Sequence, residues 1–301
     1  MKNIPFKPVT IDDRTTLQPF FDKSGFRNCD FSFANIFCWK HLYNTTFAVE
    51  DGFLFIRFTG KNNFPGYMLP LGNNNLKPAI DRIFEDARER NYPVRLYAIT
   101  NDMYDLVEKA CPGVFEYKKD RAWFEYIYSS EDLINLAGKK FQPKRNHINK
   151  FKREYEWEYI PITEEIIPEC IDLYKRWCIE NGGCRGEQDY FDEFRAMQTA
   201  FENFAELGLI GGALRIDGEI LAYSYGQPLG ADTFGVHAEK SLYEIDGGFT
   251  MINREFAEHN CLQYKYINRE EDLGLEPLRK AKLSYHPVIL LEKGFIKRKD
   301  E

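Results

Sequence analysis

The feature that most constrains this chain is that its two halves follow the same order of elements. Each half has the pattern of an antiparallel meander, then an amphipathic helix, then a buried strand. The hairpin turns fall at 51–52 and 217–218, both Asp-Gly, a dipeptide that supplies the positive φ of a tight two-residue loop. A helix follows each meander, at 76–90 and at 248–259. This internal repeat predicts an α/β (α+β) protein of two similar domains.

The junction between the domains is predicted at 129–144, a polar stretch that contains one Gly and one Pro. The N-terminal domain would then be residues 1–130, and the C-terminal domain, the candidate for donor binding and catalysis, residues 131–301. A strand at 288–295 is predicted to close the second domain, and a helix is predicted at 30–41 in the first.

The composition favours a cytoplasmic protein. No apolar run approaches the roughly 20 residues that a membrane helix needs, and the N-terminus has no signal-peptide pattern. The seven cysteines are scattered, which is typical of free thiols in a reducing compartment. No metal site is expected, because neither the cysteines nor the five histidines cluster.

A basic stretch at 139–153 stands out against an acidic background. It holds seven Lys and Arg and no Asp or Glu, while residues 131–301 hold 23 Lys and Arg against 31 Asp and Glu. At helical spacing, the side away from the apolar residues presents Lys144, Arg145, Asn146, Lys150 and Lys152. The pattern predicts either a surface that contacts a polyanion or an ordinary solvated helix face.

A strand leads into a Gly-Gly turn and a helix at 237–249, where exposed amides can hold a phosphate or a carbonyl oxygen. Alternatively, Asp246 caps the helix and Gly247 and Gly248 only make the turn. A further polar run at 268–274 follows a buried strand directly, which indicates a binding rim or an acidic loop.

Together these segments resemble the C-terminal domain of phosphatidylglycerol lysyltransferases and its free-standing relatives. The first domain contributes to this resemblance through Cys29-Asp30-Phe31-Ser32-Phe33-Ala34-Asn35. The motifs of the second half are Lys-Arg-Asn-His-Ile-Asn-Lys-Phe at 144–151, His-Ala-Glu-Lys at 237–240, Asp-Gly-Gly at 246–248, Asn-Arg-Glu-Glu-Asp-Leu-Gly at 268–274 and Ala-Lys-Leu-Ser-Tyr-His-Pro at 281–287. The last two are the most specific.

The resemblance implies two tandem GNAT-like acyltransferase domains, each a mostly antiparallel mixed sheet flanked by helices, similar to Fem-type transferases. It implies transfer of an aminoacyl group from aminoacyl-tRNA to an amine or hydroxyl of a small molecule, peptide or lipid headgroup, with no cofactor beyond the donor. The tRNA acceptor end would be a partner, on the basic helix. By position, Lys282 matches the cation that stabilises the oxyanion; the alternative is a structural salt bridge to Glu270, Glu271 or Asp272.

The residues that the resemblance assigns fall into two groups. The candidate catalytic residues are Lys282, His237 and Tyr285. The candidate substrate-binding residues are Arg145, Asn146, Lys150, Glu239, Asp246, Gly247, Gly248, Asn268, Arg269, Glu271 and Asp272.

Two other functions compete with this interpretation. One is an N-acyltransferase that uses acyl-CoA, which is disfavoured because Asp246 stands where a basic Gly-rich loop would hold the pyrophosphate. The other is a non-catalytic GNAT-like module that binds a small amino compound or a partner.

Overall fold

The computed structural model of the chain describes residues 3–60, 65–72, 75–180 and 188–300, with the backbone alone for 188–190. The strands are β1 (Lys7–Pro8), β2 (Thr46–Glu50), β3 (Phe53–Thr59), β4 (Pro65–Tyr67), β5 (Leu71–Gly72), β6 (Arg95–Thr100), β7 (Phe115–Lys119), β8 (Glu125–Ser129), β9 (Trp157–Pro161), β10 (Ile210–Ile216), β11 (Glu219–Pro228), β12 (Thr233–Ser241), β13 (Tyr266–Glu271), β14 (Ile289–Leu291) and β15 (Lys293–Arg298). The α-helices are α1 (Arg14–Ser24), α2 (Phe33–Cys38), α3 (Lys40–Tyr43), α4 (Leu76–Glu89), α5 (Asn101–Ala110), α6 (Ser130–Asn135), α7 (Gln142–Glu154), α8 (Ile167–Glu180), α9 (Gln188–Glu202), α10 (Gly248–Asn260) and α11 (Glu276–Leu283).

Two sheets of the same plan organise the chain. The first has the order β1-β2-β3-β4-β6-β15-β7, with β5 beside β3, and the second has the order β9-β10-β11-β12-β13-β8-β14. In each sheet the strand after the long helix pairs in parallel with a strand that precedes the helix, β6 with β4 and β13 with β12. The mixed α/β class and the flanking helices agree with the sequence-based prediction.

The chain divides into two compact units, and the first is assembled from three segments. It comprises Met1–Tyr126, Glu271–Lys280 and Leu290–Glu301, and the second unit comprises Ile127–Glu270 and Ala281–Ile289. The expected boundary had assigned everything after residue 130 to the second domain. The structure differs because β15 pairs with β6 and β7 of the first sheet. The single strand expected at 288–295 is therefore two strands, β14 and β15, in different sheets.

The hairpin turns form where the sequence predicts them. Asp51 and Gly52 have φ of 50° and 79°, and Asp217 and Gly218 have φ of 50° and 90°. Positive φ at both central residues matches the right-handed twist of the strands that they join.

The helix expected at 30–41 is instead a 3₁₀ turn followed by α2 and α3. It breaks because Ser32 is extended and its side chain accepts a hydrogen bond from the Asn35 amide as an N-cap.

Each unit packs helices against its sheet around large apolar side chains. Fully buried rings include Phe33, Tyr67 and Phe115 in the first unit, and Phe234 and Phe256 in the second. No helix in the described ranges is long and apolar enough to cross a membrane. The cysteines at 29, 38, 111, 170, 178 and 261 are buried free thiols, and the seventh, Cys184, lies outside the described residues.

Candidate functional site

The candidate site lies on two parallel strands of the second unit, β12 and β13, beyond the end of the ladder that pairs them. The ladder between β12 and β13 pairs Thr233–Gly235 with Tyr266–Asn268. Beyond that ladder β12 continues to Ser241 and β13 to Glu271. Side chains from the continuing parts of both strands carry the polar groups described below.

A β-bulge places His237 at this point. Tyr225 pairs with Ala238 and Gly226 pairs with Val236, so His237 is the extra residue of β12. A bulge re-aims the side chain that it carries.

His237 is held by a carboxylate at one ring nitrogen and is unpaired at the other. Its side chain is only 6% exposed, and Nδ1 lies 2.8 Å from Glu270 Oε1. Since a carboxylate accepts, Nδ1 donates the proton. The buried Nε2 has no hydrogen-bond partner among the residues that the structure describes. In the neutral tautomer that this bond fixes, Nε2 therefore offers a lone pair.

The backbone at Glu270 has an unusual conformation that aims its carboxylate. Its φ is 58°, in the left-handed region that non-glycine residues rarely adopt. Its amide donates to Asn268 Oδ1 at 2.8 Å, and Asn268 is completely buried. A strained residue fixed by a buried neighbour is typical of functional sites.

A second group of contacts connects β13 to β12 and α10. Arg269 Nη2 donates to Glu239 Oε1 at 2.8 Å, and Asn253 Nδ2 donates to Glu239 Oε2 at 2.9 Å. Two buried atoms of this group, Arg269 Nη1 and Asn253 Oδ1, have no hydrogen-bond partner in the described part of the chain. One is a donor and the other an acceptor, so the group presents both functions to a ligand.

Tyr285 lies against two cations. Lys144 Nζ is 3.8 Å from the centre of its ring, and Arg269 Cζ is 4.9 Å from it. Burial lowers the pKa of Lys144 to about 8, the charge of Arg269 acts in the same direction, and Glu239 opposes it. Burial also raises the pKa of Tyr285 to about 12, so its hydroxyl stays protonated at neutral pH.

Lys282 is buried and bonded to the main chain. Its Nζ donates to the Arg269 carbonyl oxygen at 2.5 Å, and its own carbonyl accepts from the Tyr128 hydroxyl at 2.8 Å. These bonds connect the end of α11 to the strand that carries Arg269.

Three polar residues of α7, Arg145, Asn146 and Lys150, have hydrogen-bond or ion-pair partners in this protein. Lys150 Nζ pairs with Asp246 Oδ2 at 2.5 Å, and Asn146 Oδ1 accepts from Gln142. Arg145 donates to the carbonyl oxygens of Leu136 and Gly138, which fixes the turn before α7.

The glycines at the start of α10 allow close approach of neighbouring groups. Gly247 has φ of 82° and is itself the N-cap, with no side-chain cap, so the alternative that Asp246 caps this helix is wrong. A Cβ on Gly247 would lie 3.1 Å from the His147 carbonyl oxygen, and one on Gly248 would lie 2.2 Å from Ser241 Oγ.

The structure places Glu271 and Asp272 in the first unit. Asp272 is completely buried and accepts from Arg121, Arg279 and Tyr126. Burial alone would raise the pKa of Asp272, but the hydrogen bonds from Arg279 and Tyr126 outweigh it and hold the pKa well below the usual value.

Glu271 belongs to a buried cluster around the ammonium of Lys293. Lys293 Nζ lies 2.5 Å from Asp30 Oδ2 and from Glu125 Oε1, and it also pairs with Glu271. Cys29 donates its amide to Glu125. The cysteine and the three carboxylates have the spacing of metal ligands, and the lysine ammonium lies among them.

The first unit has apolar residues where the second has this polar site. Ala98 in β6 and Glu270 in β13 both have left-handed backbones, with φ of 57° and 58°. Aligning the repeats on these two residues and on the parallel pairs matches Leu96 with Asn268, Tyr97 with Arg269, Leu69 with His237, and Leu71 with Glu239. Tyr97 makes an edge-to-face contact with Phe58 and stacks on Phe295, at 5.5 and 5.6 Å between ring centres. The polar version of the repeat thus belongs to the second unit.

The contacts join six of the residues named from the sequence: His237, Glu239, Asn268, Arg269, Lys282 and Tyr285. Asn253 and Glu270 were not named as site residues, and Lys144 was named only as part of the basic helix. Glu270 lies within the motif at 268–274, but its partner His237 is 33 positions away. Only the pairing of β12 with β13 brings the two side chains together.

Comparisons with known proteins agree with this fold. The family model described as phosphatidylglycerol lysyltransferase, C-terminal, matches residues 21–294. A conserved protein of unknown function from Bacteroides thetaiotaomicron is 46% identical, with a TM-score of 0.94 over 98% of this chain and 100% of that one. L-PGS from Bacillus licheniformis is 16% identical, with a TM-score of 0.64 over 100% of this chain and 94% of that one.

Two further matches complete the comparison. A tandem GNAT protein from the clavulanic acid pathway is 8% identical, with a TM-score of 0.51 over 98% of each chain, which confirms the predicted pair of GNAT-like domains. An uncharacterised protein of Mycoplasmoides gallisepticum is 24% identical over 178 residues, 57% of this chain and 55% of its own length. The chain therefore spans about half the length of that curated relative.

Proposed function

Because the chain belongs to the family of the phosphatidylglycerol lysyltransferase C-terminal domain, we propose that its second unit transfers an aminoacyl group from aminoacyl-tRNA to an amine or hydroxyl acceptor. The observation that carries the proposal is the bulged His237, whose Nδ1 is bonded to Glu270 and whose buried Nε2 is unpaired among the described residues.

In this mechanism the acceptor N–H or O–H donates to His237 Nε2. As the acceptor attacks the ester carbonyl, the imidazole takes its proton, and Glu270 stabilises the imidazolium. The tetrahedral intermediate collapses by breaking the ester bond, and the imidazolium returns the proton to the ribose oxygen that leaves.

The oxyanion needs a donor, and Lys282 is the candidate. An ammonium offers three N–H donors, one of which goes to the Arg269 carbonyl. In a site shielded from water its charge acts more strongly than in bulk solvent. Tyr285, protonated at neutral pH, lies beside Arg269 and contributes its ring to the wall of the site.

The exposed lysines of α7 support contact with the tRNA acceptor end. Lys150 and Lys152 lie on an exposed side of this helix, in a protein whose net charge is −7. A local positive surface of this kind offsets backbone phosphate charge. A cytoplasmic location, where the free thiols of the described cysteines stay reduced, fits a tRNA donor.

Acyl-CoA remains the second candidate donor because of the ion pair between Asp246 and Lys150. The ammonium lowers the pKa of Asp246 and compensates its charge, so this carboxylate repels a pyrophosphate less than the sequence suggested. Titration of CoA by calorimetry separates the two donors, and a micromolar Kd would favour acyl-CoA.

The test of the proposed function is transfer by His237→Gln and Glu270→Gln. Labelled aminoacyl-tRNAs are incubated with pools of amines, peptides and lipid headgroups, and acceptor-dependent product is measured. Loss of the general base should lower transfer by about 10²–10⁴-fold, and Glu270→Gln should have a smaller effect. His259→Gln, which changes a half-exposed histidine at the end of α10, is the control. Full transfer by His237→Gln would contradict the mechanism.

A further inference from the structure

Two cations face one aromatic ring in the second unit, and the mechanism above uses neither of them. We propose that Lys144, Arg269 and Tyr285 form a subsite for an anionic group of the substrate, a phosphate or a carboxylate. This inference rests on the proposed function, because it assigns part of the ligand that the same site takes.

The arrangement of charge is the first observation. Lys144 Nζ and Arg269 Cζ lie 3.8 and 4.9 Å from the centre of the Tyr285 ring. Arg269 Cζ is also 5.6 Å from the Tyr128 ring. Glu239 pairs with Arg269, which compensates one of the two positive charges. Two positive charges beside one ring, of which Glu239 compensates only one, favour the binding of a negatively charged ligand.

The unpaired guanidinium nitrogen is the second observation. Arg269 Nη2 is bonded to Glu239, whereas the buried Nη1 has no hydrogen-bond partner among the described residues. A buried N–H without an acceptor costs about 1–3 kcal/mol, so such groups mark places where a ligand or water accepts. An oxyanion would satisfy Nη1 and lie near Lys144.

The titration of Lys144 agrees with this geometry. Burial and the charge of Arg269 of β13 together lower its pKa to about 8, and Glu239 of β12 opposes them. The neutral rings of Tyr285 and Tyr128 complete these surroundings. A bound anion would oppose the effect of Arg269 and raise the pKa of Lys144.

The side chains of Lys144 and Arg269 indicate which class of ligand the subsite binds. A guanidinium and an ammonium together match the oxygens of phosphate and carboxylate groups. A phosphodiester of a nucleic acid or a lipid headgroup and the carboxylate of an amino acid or peptide share this chemistry. Inorganic phosphate and acetate therefore serve as separate probes.

The experiment measures binding without any transfer assay. Protein labelled with ¹³C-lysine is titrated with phosphate and with acetate, and the Lys144 side-chain signal and its pKa are followed by NMR. Anion affinity is measured by calorimetry for the unsubstituted protein and for each variant. We expect saturable binding and an upward shift of that pKa. Lys144→Gln should weaken binding about tenfold, the effect of losing one charge-assisted contact. Preference for phosphate would assign a phosphoryl group, and preference for acetate a carboxylate.

The matched control is Lys265→Gln, which removes a lysine that also stacks on a tyrosine, at 5.0 Å, but outside the site. Equal anion binding by Lys144→Gln and Lys265→Gln, or no binding by the unsubstituted protein, overturns the subsite. His237→Gln should bind both anions normally. If it does, and the unsubstituted protein transfers no aminoacyl group to any acceptor tested, the proposed function fails while the subsite stands.

Discussion

Lys282 contacts the main chain of Arg269, which lies next to Glu270, the partner of the proposed general base His237. Its buried Nζ donates to the Arg269 carbonyl. Such a bond positions Arg269 whether or not the ammonium also contacts the oxyanion. The two roles predict different behaviour of one variant.

Lys282→Met should lower the free energy of unfolding by about 1–3 kcal/mol, because it removes a charge-assisted hydrogen bond. If Lys282 also stabilises the oxyanion, transfer should fall by about 10²–10³-fold, a larger factor than the loss of phosphate affinity. If it only positions Arg269, phosphate affinity and transfer should fall together. Urea unfolding, NMR titration and the transfer assay distinguish these results, with exposed Lys280→Met as control. Full transfer by a destabilised Lys282→Met would show that the catalytic assignment is wrong.

At the scale of elements, short sequence patterns predicted the turns and helices that depend on neighbouring residues alone. The Asp-Gly turns and the amphipathic helices α4 and α10 follow from residues that are neighbours in the sequence. The bulge at His237 does not, because it exists only in the pairing of β12 with β11. The left-handed backbone of Glu270 could not be predicted either, because glycine and asparagine are the residues that indicate this conformation in a sequence. The geometry of these two residues was therefore the hardest part of the candidate site to predict, although the resemblance names His237 itself.

The basic helix α7 gives a prediction at the same scale. If Lys150 and Lys152 contact tRNA phosphates, affinity for tRNA should fall with salt, and each removed contact should reduce the slope by roughly one unit. Both side chains are exposed, so Lys150→Ala, Lys152→Ala should leave the fold intact. Arg145 is unsuitable for this test, because it donates to two main-chain carbonyls before α7.

The measurement is tRNA binding over a range of salt concentrations, with exposed Lys175→Ala on α8 as control. A slope that does not change in the double variant would assign α7 to the solvated helix face, the alternative that the sequence left open.

At the scale of the whole molecule, the last strand of the chain, β15, belongs to the first sheet. Strand β15 lies between β6 and β7, the position that β8 holds in the second sheet. Lys293, the first residue of β15, is buried among Asp30, Glu125 and Glu271. Four distant parts of the sequence thus meet around one ammonium in the first unit. This explains why the motifs at 29–35 and 268–274 could be recognised in the sequence while their meeting at Lys293 could not.

That cluster should make stability depend on pH. Burial raises the pKa of Glu125 to about 8, the charges of Glu271 and Asp30 add to this, and Lys293 opposes it. Because the folded pKa lies above the unfolded value of 4.5, the stability that Glu125 contributes is complete below pH 4.5 and is lost as pH rises towards about 8. The raised pKa of Lys293 and the lowered pKa of Asp30 act outside this window, at high and low pH respectively.

Glu125→Gln removes the titrating group and keeps its shape, so its free energy of unfolding should change less between about pH 5 and 8 than that of the unsubstituted protein. Urea unfolding at several pH values measures both curves. Glu89→Gln, an exposed site at the end of α4, should leave the pH dependence unchanged. Parallel curves for Glu125→Gln and the unsubstituted protein would mean that Glu125 is already ionised at low pH. The cluster would then be a fully charged set of three carboxylates and one ammonium, stabilised by Lys293 at every pH in the window.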